Sequence, residues 1–476
     1  MQENPVFDGQ LHTFAASFLS CFKSHKTLDF LKKYVGNSEL SAILVKNVFA
    51  LGFIKPLSIV LSIATFTLCV HIVDSAEYGL FSAITAFTTW FSLFDLGIGN
   101  GLKNHLTLAI EQKDDIKARK LVSTAYFYIG SIFGGLLVIY YLITPFVDWA
   151  DVFHTQHNSI LTLVSITVLS FVLRTVLQLL NNVLLAYQAS ALVEGVALLG
   201  QFIQFLLIGG VYWGHLTAYF DLVTLCLIQS FSPVIVLIGL HIIGFYGKKW
   251  TMPTWKFVDK GSINAVFNLG SKFLLIQIAS LVIFSLNQFL INKWFNAELV
   301  TEFNAASRYY SVASIGIGIL LTPYWSLLTK AIGQGNYTWI KNLYGRTLWI
   351  WLVITAGSVL QFLLSNWVFE LWLRDRVHIS NSLNWVCFIY SIILNWNAVQ
   401  ATFLNGMSKI KLQLYIAIIG MVIYYPVAVF LAGILGPAGI VWATCVCLLL
   451  STILCPIQVY KLVNNPLSTS KQLWNA

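Results

Sequence analysis

The sequence predicts an all-α polytopic membrane protein with twelve transmembrane helices in two pseudo-symmetric six-helix lobes. Of its 476 residues, 58% are hydrophobic and 10% are charged, whereas soluble domains contain about 25% charged residues. Twelve long apolar spans and an internal repeat predict the number of helices and their division into lobes. This composition excludes an ordinary soluble enzyme or binding domain.

The predicted spans are each long enough to cross the bilayer. At a rise of 1.5 Å per residue, about 20 apolar residues match a hydrocarbon core of about 30 Å. The spans are residues 48–70, 79–100, 121–147, 159–185, 190–213, 220–245, 267–292, 300–328, 347–370, 382–404, 411–433 and 437–460.

The distribution of basic residues predicts the orientation of the chain. Of the 28 lysine and arginine residues, 22 fall in segments on one side of the membrane, whereas the outer connections hold three. By the positive-inside rule, both termini are expected in the cytoplasm. The net charge of +9 is therefore explained by basic residues in the cytoplasmic segments, and no nucleic-acid partner is expected.

An internal repeat predicts the two lobes. Sliding the sequence along itself places 106–112 over 328–334, and a second, slightly shorter shift places 197–200 over 417–420. Six predicted spans separate the members of each pair, which is typical of parallel repeats related by an axis along the membrane normal. Such an architecture predicts a substrate cavity between the lobes. The predicted division is an N-terminal extension 1–46, an N-lobe 47–246, a cytoplasmic linker 247–266, a C-lobe 267–462 and a cytoplasmic tail 463–476.

Two polar stretches adjoin the first spans. Residues 103–120 contain five basic residues after the second span and are predicted to form a cytoplasmic loop. Residues 1–46 combine apolar residues at helical spacing with several lysines, so they predict either an interfacial amphipathic helix or a partly ordered cytoplasmic tail.

Four cations inside or near the spans are candidates for substrate binding: Lys55, Arg174, Arg308 and Lys272. A charged side chain at the centre of a membrane helix costs about 2.5–3.5 kcal/mol on insertion scales, so its presence suggests a function. Together the four predict a cationic lumen for a diphosphate or an acidic sugar. The alternative is structural, with Lys55 and Lys272 snorkelling to the interface and either arginine in an ion pair.

Acidic residues within the spans are fewer. Asp95 and Glu194 lie toward the cytoplasmic side, and either is a candidate for coupling transport to a proton or sodium gradient. The alternative for Asp95 is structural: it caps a helix end or pairs with a lysine. Apart from a coupling ion, no cofactor is predicted.

Metal and enzyme chemistry are poorly supported by the sequence. Asp148, Asp151, His154 and His157 recur every three residues after the third span, which permits a metal site but favours a solvated polar loop. The seven cysteines lie mostly in apolar spans, so no disulfide or metal cage is expected. The chain has neither a phosphate-binding glycine loop nor a nucleophile elbow. A transporter is therefore favoured over an ATPase or hydrolase.

Short motifs carry a family resemblance. They are Glu77-Tyr78-Gly79, the segment from Asp95 to Leu102 and Ser123-Thr124-Ala125, with residues 300–304 and Pro323 in the second half. The chain resembles the polysaccharide-translocase (O-antigen flippase) branch of the multidrug/oligosaccharidyl-lipid/polysaccharide (MOP) exporter superfamily over about residues 45–465. The resemblance implies a two-lobed flippase with a cationic lumen, which fits Lys55, Arg174 and Arg308.

The resemblance also implies a substrate and a location. The substrate would be an undecaprenyl-diphosphate-linked oligosaccharide, an O-antigen or related polysaccharide repeat unit, moved from the cytoplasmic to the periplasmic leaflet of a bacterial inner membrane. A polysaccharide polymerase and a chain-length regulator would be partners, along with membrane lipids. The alternatives are a MATE-like drug/cation antiporter and a lipid II flippase of the same superfamily. A glycan polymerase or ligase would need a larger outer loop than this chain has.

Overall fold

The chain is an all-α polytopic membrane protein. A computed structural model describes residues 39–73, 80–81, 84–85, 97–153, 155, 157–214, 220–246, 252–295, 297–373 and 379–464. Within those ranges, eleven helical segments are long and apolar enough to cross a membrane. The second predicted span, residues 79–100, lies largely outside the described residues, as does most of the N-terminal extension.

The chain divides into two compact units, residues 1–267 and 268–476. The boundary falls within one long helix, α9. The described helices of the first unit are α1 (Glu39–Ile72), α2 (Ile98–Glu111), α3 (Asp115–Ile143), α4 (Trp149–Val152), α5 (Ile160–Leu177), α6 (Leu179–Ala186), α7 (Ser190–Trp213) and α8 (Leu222–Tyr246). Those that follow are α9 (Lys260–Trp294), α10 (Ala297–Gly333), α11 (Tyr337–Leu363), α12 (Ser365–Leu373), α13 (Asn381–Gly406), α14 (Lys411–Leu435) and α15 (Pro437–Asn464).

The structure corrects two boundaries. Helix α1 begins at Glu39, so the predicted end of the N-terminal extension at residue 46 falls inside a helix. The loop conformation predicted for residues 103–120 is wrong, because they belong to α2 and α3 and only a short turn separates these helices. Their cytoplasmic location stays a prediction. Lys103 is buried, with 5% of its surface exposed. The charges of this segment suggested a loop, but most of α2 is covered by protein.

The first sequence repeat has the same backbone structure in both copies. Helix α2 is followed by Lys113 in the left-handed conformation (φ 56°), and α10 is followed by the residue aligned with it, Gly335, at φ 68°. The amide of Asp114 donates to the carbonyl oxygen of Ala109, and that of Asn336 donates equivalently to Ala331. These bonds close the helix C-termini in Schellman geometry. The Asp114 and Asn336 side chains then cap the next helices, α3 and α11.

The second repeat also corresponds to a helix-ending turn. Gln188 after α6 and Ser408 after α13, which the second shift aligns, have φ values of 65° and 56°. In each turn the following residue donates its amide hydrogen five residues back, from Ala189 to Leu184 and from Lys409 to Leu404. Both sequence repeats therefore fall beside places where the chain must turn sharply between helices.

Polar side chains join the helices of the second unit in its interior. Asn287 of α9 is 1% exposed and accepts hydrogen bonds from Tyr424 (2.8 Å) and Thr444 (3.0 Å). Tyr310 of α10 donates to Asn384 of α13 at 2.6 Å. Each hydroxyl is satisfied by a neighbouring helix, as a polar group inside a membrane protein requires.

The segment before α9 docks on α3. The backbone amide of Thr254 donates to the Ser123 hydroxyl at 3.1 Å, and that of Asp259 donates to the Thr124 hydroxyl at 3.0 Å. Between them, a single 3₁₀ turn, Trp255–Phe257, places the Phe257 ring 4.2 Å from the Arg119 guanidinium. Part of the predicted linker is thus bound to the first unit.

Asp259 completes this contact as the cap of α9. Its carboxylate accepts hydrogen bonds from the Ser262 amide (2.8 Å) and hydroxyl (2.9 Å), and Lys120 approaches to 3.9 Å. The Ser262 hydrogen bonds, and then Lys120, hold the pKa of the Asp259 carboxyl below its usual value. The carboxylate is therefore ionised at neutral pH.

We expect removal of the two receiving hydroxyls to free this segment. In the doubly substituted variant with Ser123→Ala and Thr124→Ala, tryptic cleavage after Lys256 in detergent should be faster by about tenfold or more. Each hydrogen bond contributes about 1 kcal/mol, and cleavage follows the population of the undocked state. The matched control is Ser271→Ala, whose hydroxyl bonds only its own helix. Equal cleavage rates in the double variant and wild type would contradict the docking role.

Candidate functional site

Arg174 lies within the fourth predicted span, which the structure forms from α5 and α6 with Gln178 between them. The backbone of Gln178 stays in the right-handed helical region (φ −64°, ψ −13°), and its amide donates to the carbonyl oxygen of Arg174 at 2.8 Å. Ile160–Ala186 is therefore one helical segment of 27 residues, and Arg174 lies one turn before the junction at Gln178.

Polar residues lie on one face of the fourth span on both sides of this junction. Thr167, Ser170, Arg174, Gln178 and Asn181 recur at intervals of three or four residues. That spacing places them on one side of a helix. All five line a single cavity.

This cavity, here called the Arg174 cavity, has a volume of about 760 Å³ and lies within the first unit. Its volume is in the range of small-molecule sites. Its lining combines a few apolar side chains with hydroxyls and carboxamides. The lining residues are Phe81, Thr85, Ile129, Thr167, Ser170, Phe171, Arg174, Thr175, Gln178, Leu179, Asn181, Asn182, Gln204, Gln229, Ser230 and Pro233.

Arg174 supplies the charge of this cavity. It is the one charged residue among those that line the cavity in the described ranges, and its side chain is exposed. No described carboxylate lies within ion-pair distance of its guanidinium. The cavity therefore presents a guanidinium with hydrogen-bond donors available to an anion.

Two glutamines form the wall contributed by α7 and α8. Gln204 donates to the backbone carbonyl of Gln229 at 2.8 Å, and the Gln229 side chain donates to the sulfur of Cys69 at 3.3 Å. These contacts fix the positions of both carboxamides at the cavity surface. They also join α1, α7 and α8.

Lys55 and Glu194 form an ion pair. The Lys55 ammonium lies 2.8 Å from a carboxylate oxygen of Glu194, which joins α1 to α7. Each side chain is 30% exposed. From the sequence, Lys55 was predicted to bind substrate in the lumen and Glu194 was a candidate coupling acid. The contact between them was not predicted. In the structure each compensates the charge of the other.

The pair belongs to a polar seam between α1 and α7. Toward one end, Asn47 donates to the carbonyl of Gln188 (3.0 Å) and accepts the amide of Ala191 (3.0 Å). Toward the other, Ser58 donates to Gln201 at 2.6 Å. The donors and acceptors recur at helical spacing, so the seam runs along both helices.

The remaining predicted site residues lie elsewhere. Lys272 is half-buried on α9, twelve residues after the helix begins at Lys260, which is about 18 Å along its axis. Arg308 on α10 is exposed, and neither cation has an ion-pair partner in the described ranges. Asp95 lies outside the described residues.

The possible metal ligands have other contacts. The Asp148 carboxylate accepts hydrogen bonds from the amides of Ala150 and Asp151, and so caps α4. His157 accepts the amide of Ser159, and His154 lies outside the described residues. In the part of the chain that the structure describes, no cluster of three metal-ligating side chains occurs.

Sequence reasoning missed most of the cavity lining. The periodicity from Thr167 to Asn181 was available as a signal, because polar residues on one face of an apolar span indicate a surface that avoids lipid. Gln204 and Gln229 each have a polar neighbour in their own span, Gln201 and Ser230, but the two residues lie in separate spans. Only the folded structure brings them to the Arg174 cavity.

Comparisons with solved structures define the class of protein. The bent form of the Vibrio cholerae MATE transporter VcmN matches with a TM-score of 0.69 and 14% identity, over 89% of this chain and 98% of that one. An outward-facing multidrug resistance MATE family transporter of the MOP superfamily matches with a TM-score of 0.71 and 14% identity, over 90% and 97%. The chain therefore has the fold of a multi-pass membrane transporter.

The family follows from the sequence itself. A family profile described as polysaccharide biosynthesis protein matches residues 44–329, which is more than half of the chain. The chain belongs to the polysaccharide biosynthesis protein family. A comparison with curated proteins finds no match. The matched solved structures are of MATE transporters, and at 14% identity they show the fold of this chain.

We expect the Lys55–Glu194 pair to stabilise the first unit. Lys55→Met or Glu194→Gln alone should lower stability by about 1–3 kcal/mol, because each leaves an uncompensated charge in a span. This is less than for a fully buried pair, since water still reaches both groups. The double variant should lie closer to wild type than the sum of the single effects.

Thermal unfolding of the purified variants in detergent measures this coupling. Ser58→Ala is the control, because it removes only a neutral hydrogen bond of the same seam. Strictly additive losses in the double variant would show that the two charges contribute independently.

Proposed function

We propose that this protein is a flippase that moves an undecaprenyl-diphosphate-linked oligosaccharide from the cytoplasmic to the periplasmic leaflet of a bacterial inner membrane. The oligosaccharide is an O-antigen or related polysaccharide repeat unit. Membership of the polysaccharide biosynthesis family and the MATE fold support transport of a glycan precursor. The position of Arg174 supports an anionic headgroup.

The observation that carries the proposal is an exposed guanidinium on a polar cavity inside a membrane unit. Arg174 has no carboxylate partner among the described residues, and the cavity lining is otherwise uncharged. Placing an uncompensated cation at this depth is costly unless water or an anion solvates it. A guanidinium binds phosphate oxygens through two parallel hydrogen bonds. A diphosphate headgroup therefore matches Arg174 in charge and geometry.

The other predicted cations take different roles in this proposal. Lys55 stabilises the first unit through Glu194, because its charge is already compensated at 2.8 Å. Arg308 and Lys272 lie on α10 and α9 and have no described ion-pair partner. They remain candidate substrate-binding cations of the second unit. Asp95 remains the candidate acid for coupling to a proton or sodium gradient.

Transport proceeds by alternating access in this proposal. The charged headgroup enters from the cytoplasmic side while the polyprenyl chain stays in lipid, since transferring long apolar chains into water is unfavourable. Rearrangement of the two repeats then releases the headgroup on the periplasmic side. A polysaccharide polymerase and a chain-length regulator would act on the product. Both termini lie in the cytoplasm, in agreement with the positive-inside distribution.

The drug/cation antiporter is the second candidate function, because the matched structures are MATE transporters. A cationic drug requires acidic or strongly electronegative groups in its site. The described lining of the Arg174 cavity contains no carboxylate and one guanidinium. The electrostatics of this cavity therefore favour an anionic substrate.

We expect Arg174→Ala to abolish surface polysaccharide in a flippase-null strain that the wild-type protein complements. Arg174→Lys should retain part of the activity, because it keeps the charge but loses bidentate geometry. For Arg174→Lys, loss of one charge-assisted contact of about 1.5–3 kcal/mol should reduce the transport activity by about ten- to a hundredfold. Surface glycan is measured by immunoblotting, with membrane levels of each variant as the reference.

Lys117→Gln is the control, because Lys117 is exposed near the start of α3, away from the cavity. Normal glycan display with Arg174→Ala at wild-type protein levels would refute the cavity assignment. Rescue of a strain depleted of its lipid II flippase would instead identify lipid II as the substrate. Resistance to cationic drugs without glycan display would favour the antiporter.

A further inference from the structure

Five carboxamide side chains share the cavity with Arg174: Gln178, Asn181, Asn182, Gln204 and Gln229. We propose that this carboxamide wall recognises the uncharged glycan and so determines which oligosaccharide is transported, while Arg174 binds the phosphate. The inference rests on the proposed function and extends it from the headgroup charge to the sugar. It assigns substrate specificity to neutral side chains of the first unit.

The chemistry of the wall suits a sugar. Each carboxamide offers two hydrogen-bond donors and an acceptor oxygen. Sugar hydroxyls are both donors and acceptors, and N-acetyl groups present one of each. A single positive charge selects for an anion but cannot distinguish one glycan from another. A wall of directional neutral groups provides that distinction, because a site built to hydrogen-bond a substrate group rejects analogues that lack it.

Several of these groups have unused hydrogen-bonding capacity. In the described ranges, the side chains of Gln178 and Asn182 make no hydrogen bond to protein, and the buried side-chain oxygen of Asn181 has no partner. Leaving a buried polar group unpaired is unfavourable, so the Asn181 oxygen favours binding of a hydrogen-bond donor. Gln204 and Gln229 differ, since they are held in place by contacts at 2.8 and 3.3 Å. The wall thus combines fixed and available carboxamides.

The duplicated unit indicates that the fold does not require this wall. The matching turns at Gln188 and Ser408 fix the register in which α6 aligns with α13. In that register, Gln178, Asn181 and Asn182 correspond to Ala398, Ala401 and Thr402. Helix α13 is unbroken at these positions. Helix α13 carries its own carboxamides at other positions, and two of them are bonded to neighbouring helices: Asn397 to Thr452 and Gln400 to Tyr344. Since an equivalent helix forms without carboxamides at the three aligned positions, those of the first copy call for a separate role.

The order of these residues along the span strengthens the assignment. Gln178 lies one turn after Arg174, and Asn181 and Asn182 occupy the following turn. A bound molecule that placed an anionic group on Arg174 would therefore present its adjoining portion to the carboxamides. In a lipid-linked oligosaccharide, the portion adjoining the diphosphate on the polar side is the first sugar. The carboxamide wall is thus placed to bind the sugars nearest the diphosphate.

The test separates sugar binding from phosphate binding in the full-length purified protein. The variants are Gln178→Leu alone, Gln178→Leu with Asn182→Ala, and Arg174→Gln. Gln178→Leu alone is included because Asn182 packs closely against Gly99 of α2, and changing it disturbs a helix contact. Gln112→Leu is the matched control, since it makes the same change at an exposed position in the turn after α2.

Two probes are titrated by calorimetry: inorganic diphosphate, and the repeat-unit oligosaccharide of the complemented strain after acid release from its lipid diphosphate. We expect Gln178→Leu to weaken oligosaccharide binding by about fivefold and the double variant by about tenfold or more, at about 1 kcal/mol per lost hydrogen bond. Diphosphate affinity should stay unchanged in both. Arg174→Gln should show the reverse pattern, and Gln112→Leu should resemble wild type.

Three results would overturn the inference: no binding of the released oligosaccharide to wild type, wild-type affinity in the wall variants, or parallel loss of both probes in Gln178→Leu. Complementation separates this failure from failure of the proposed function. If wild type restores surface glycan and the wall variants export native and foreign repeat units equally well, the inference fails and the flippase stands. If wild type restores no glycan, both fail.

Discussion

A polar group inside the membrane must be paired within the protein or reach water, and this constraint separates the roles of the polar residues found here. Lys55 and Glu194 meet it by neutralising each other at 2.8 Å. Asn287 meets it by accepting two hydrogen bonds in the core of the second unit. Arg174 meets it through a cavity. Only this last arrangement leaves bonding capacity for another molecule.

The Arg174 cavity lies against the polar face of the fourth span. That face continues across the junction of α5 and α6, because the backbone of Gln178 stays in the right-handed helical region (φ −64°, ψ −13°). The glutamines of α7 and α8 complete the enclosure, and their own hydrogen bonds hold them there. The charge of Arg174, the polar face of its span and the two glutamines therefore meet at one cavity.

The apolar spans and the repeat were predictable, because both depend on local sequence. The first repeat lies beside the two turns at Lys113 and Gly335, where a left-handed residue must end a helix. The pairing of Lys55 with Glu194 was not predictable, since 139 residues separate them and each alone suggested function. The helix α2 was mistaken for a loop because burial by protein permits Lys103, whereas exposure to lipid would not.

The repeat also explains why function has to be sought in differences between the two copies. What they share, the Schellman turns and the caps at Asp114 and Asn336, secures the connections between helices in either unit. Residues present in both copies therefore serve the fold, whereas a residue present in one copy serves either the stability of that unit, as the Lys55–Glu194 pair does, or a separate task. Gln178 lines the cavity in the first unit, whereas Ala398 occupies the matching position on α13. The second copy has carboxamides at other positions, and Asn397 and Gln400 are bonded to neighbouring helices. By that comparison, the carboxamides that line the Arg174 cavity differ in place and in bonding from those of the second copy.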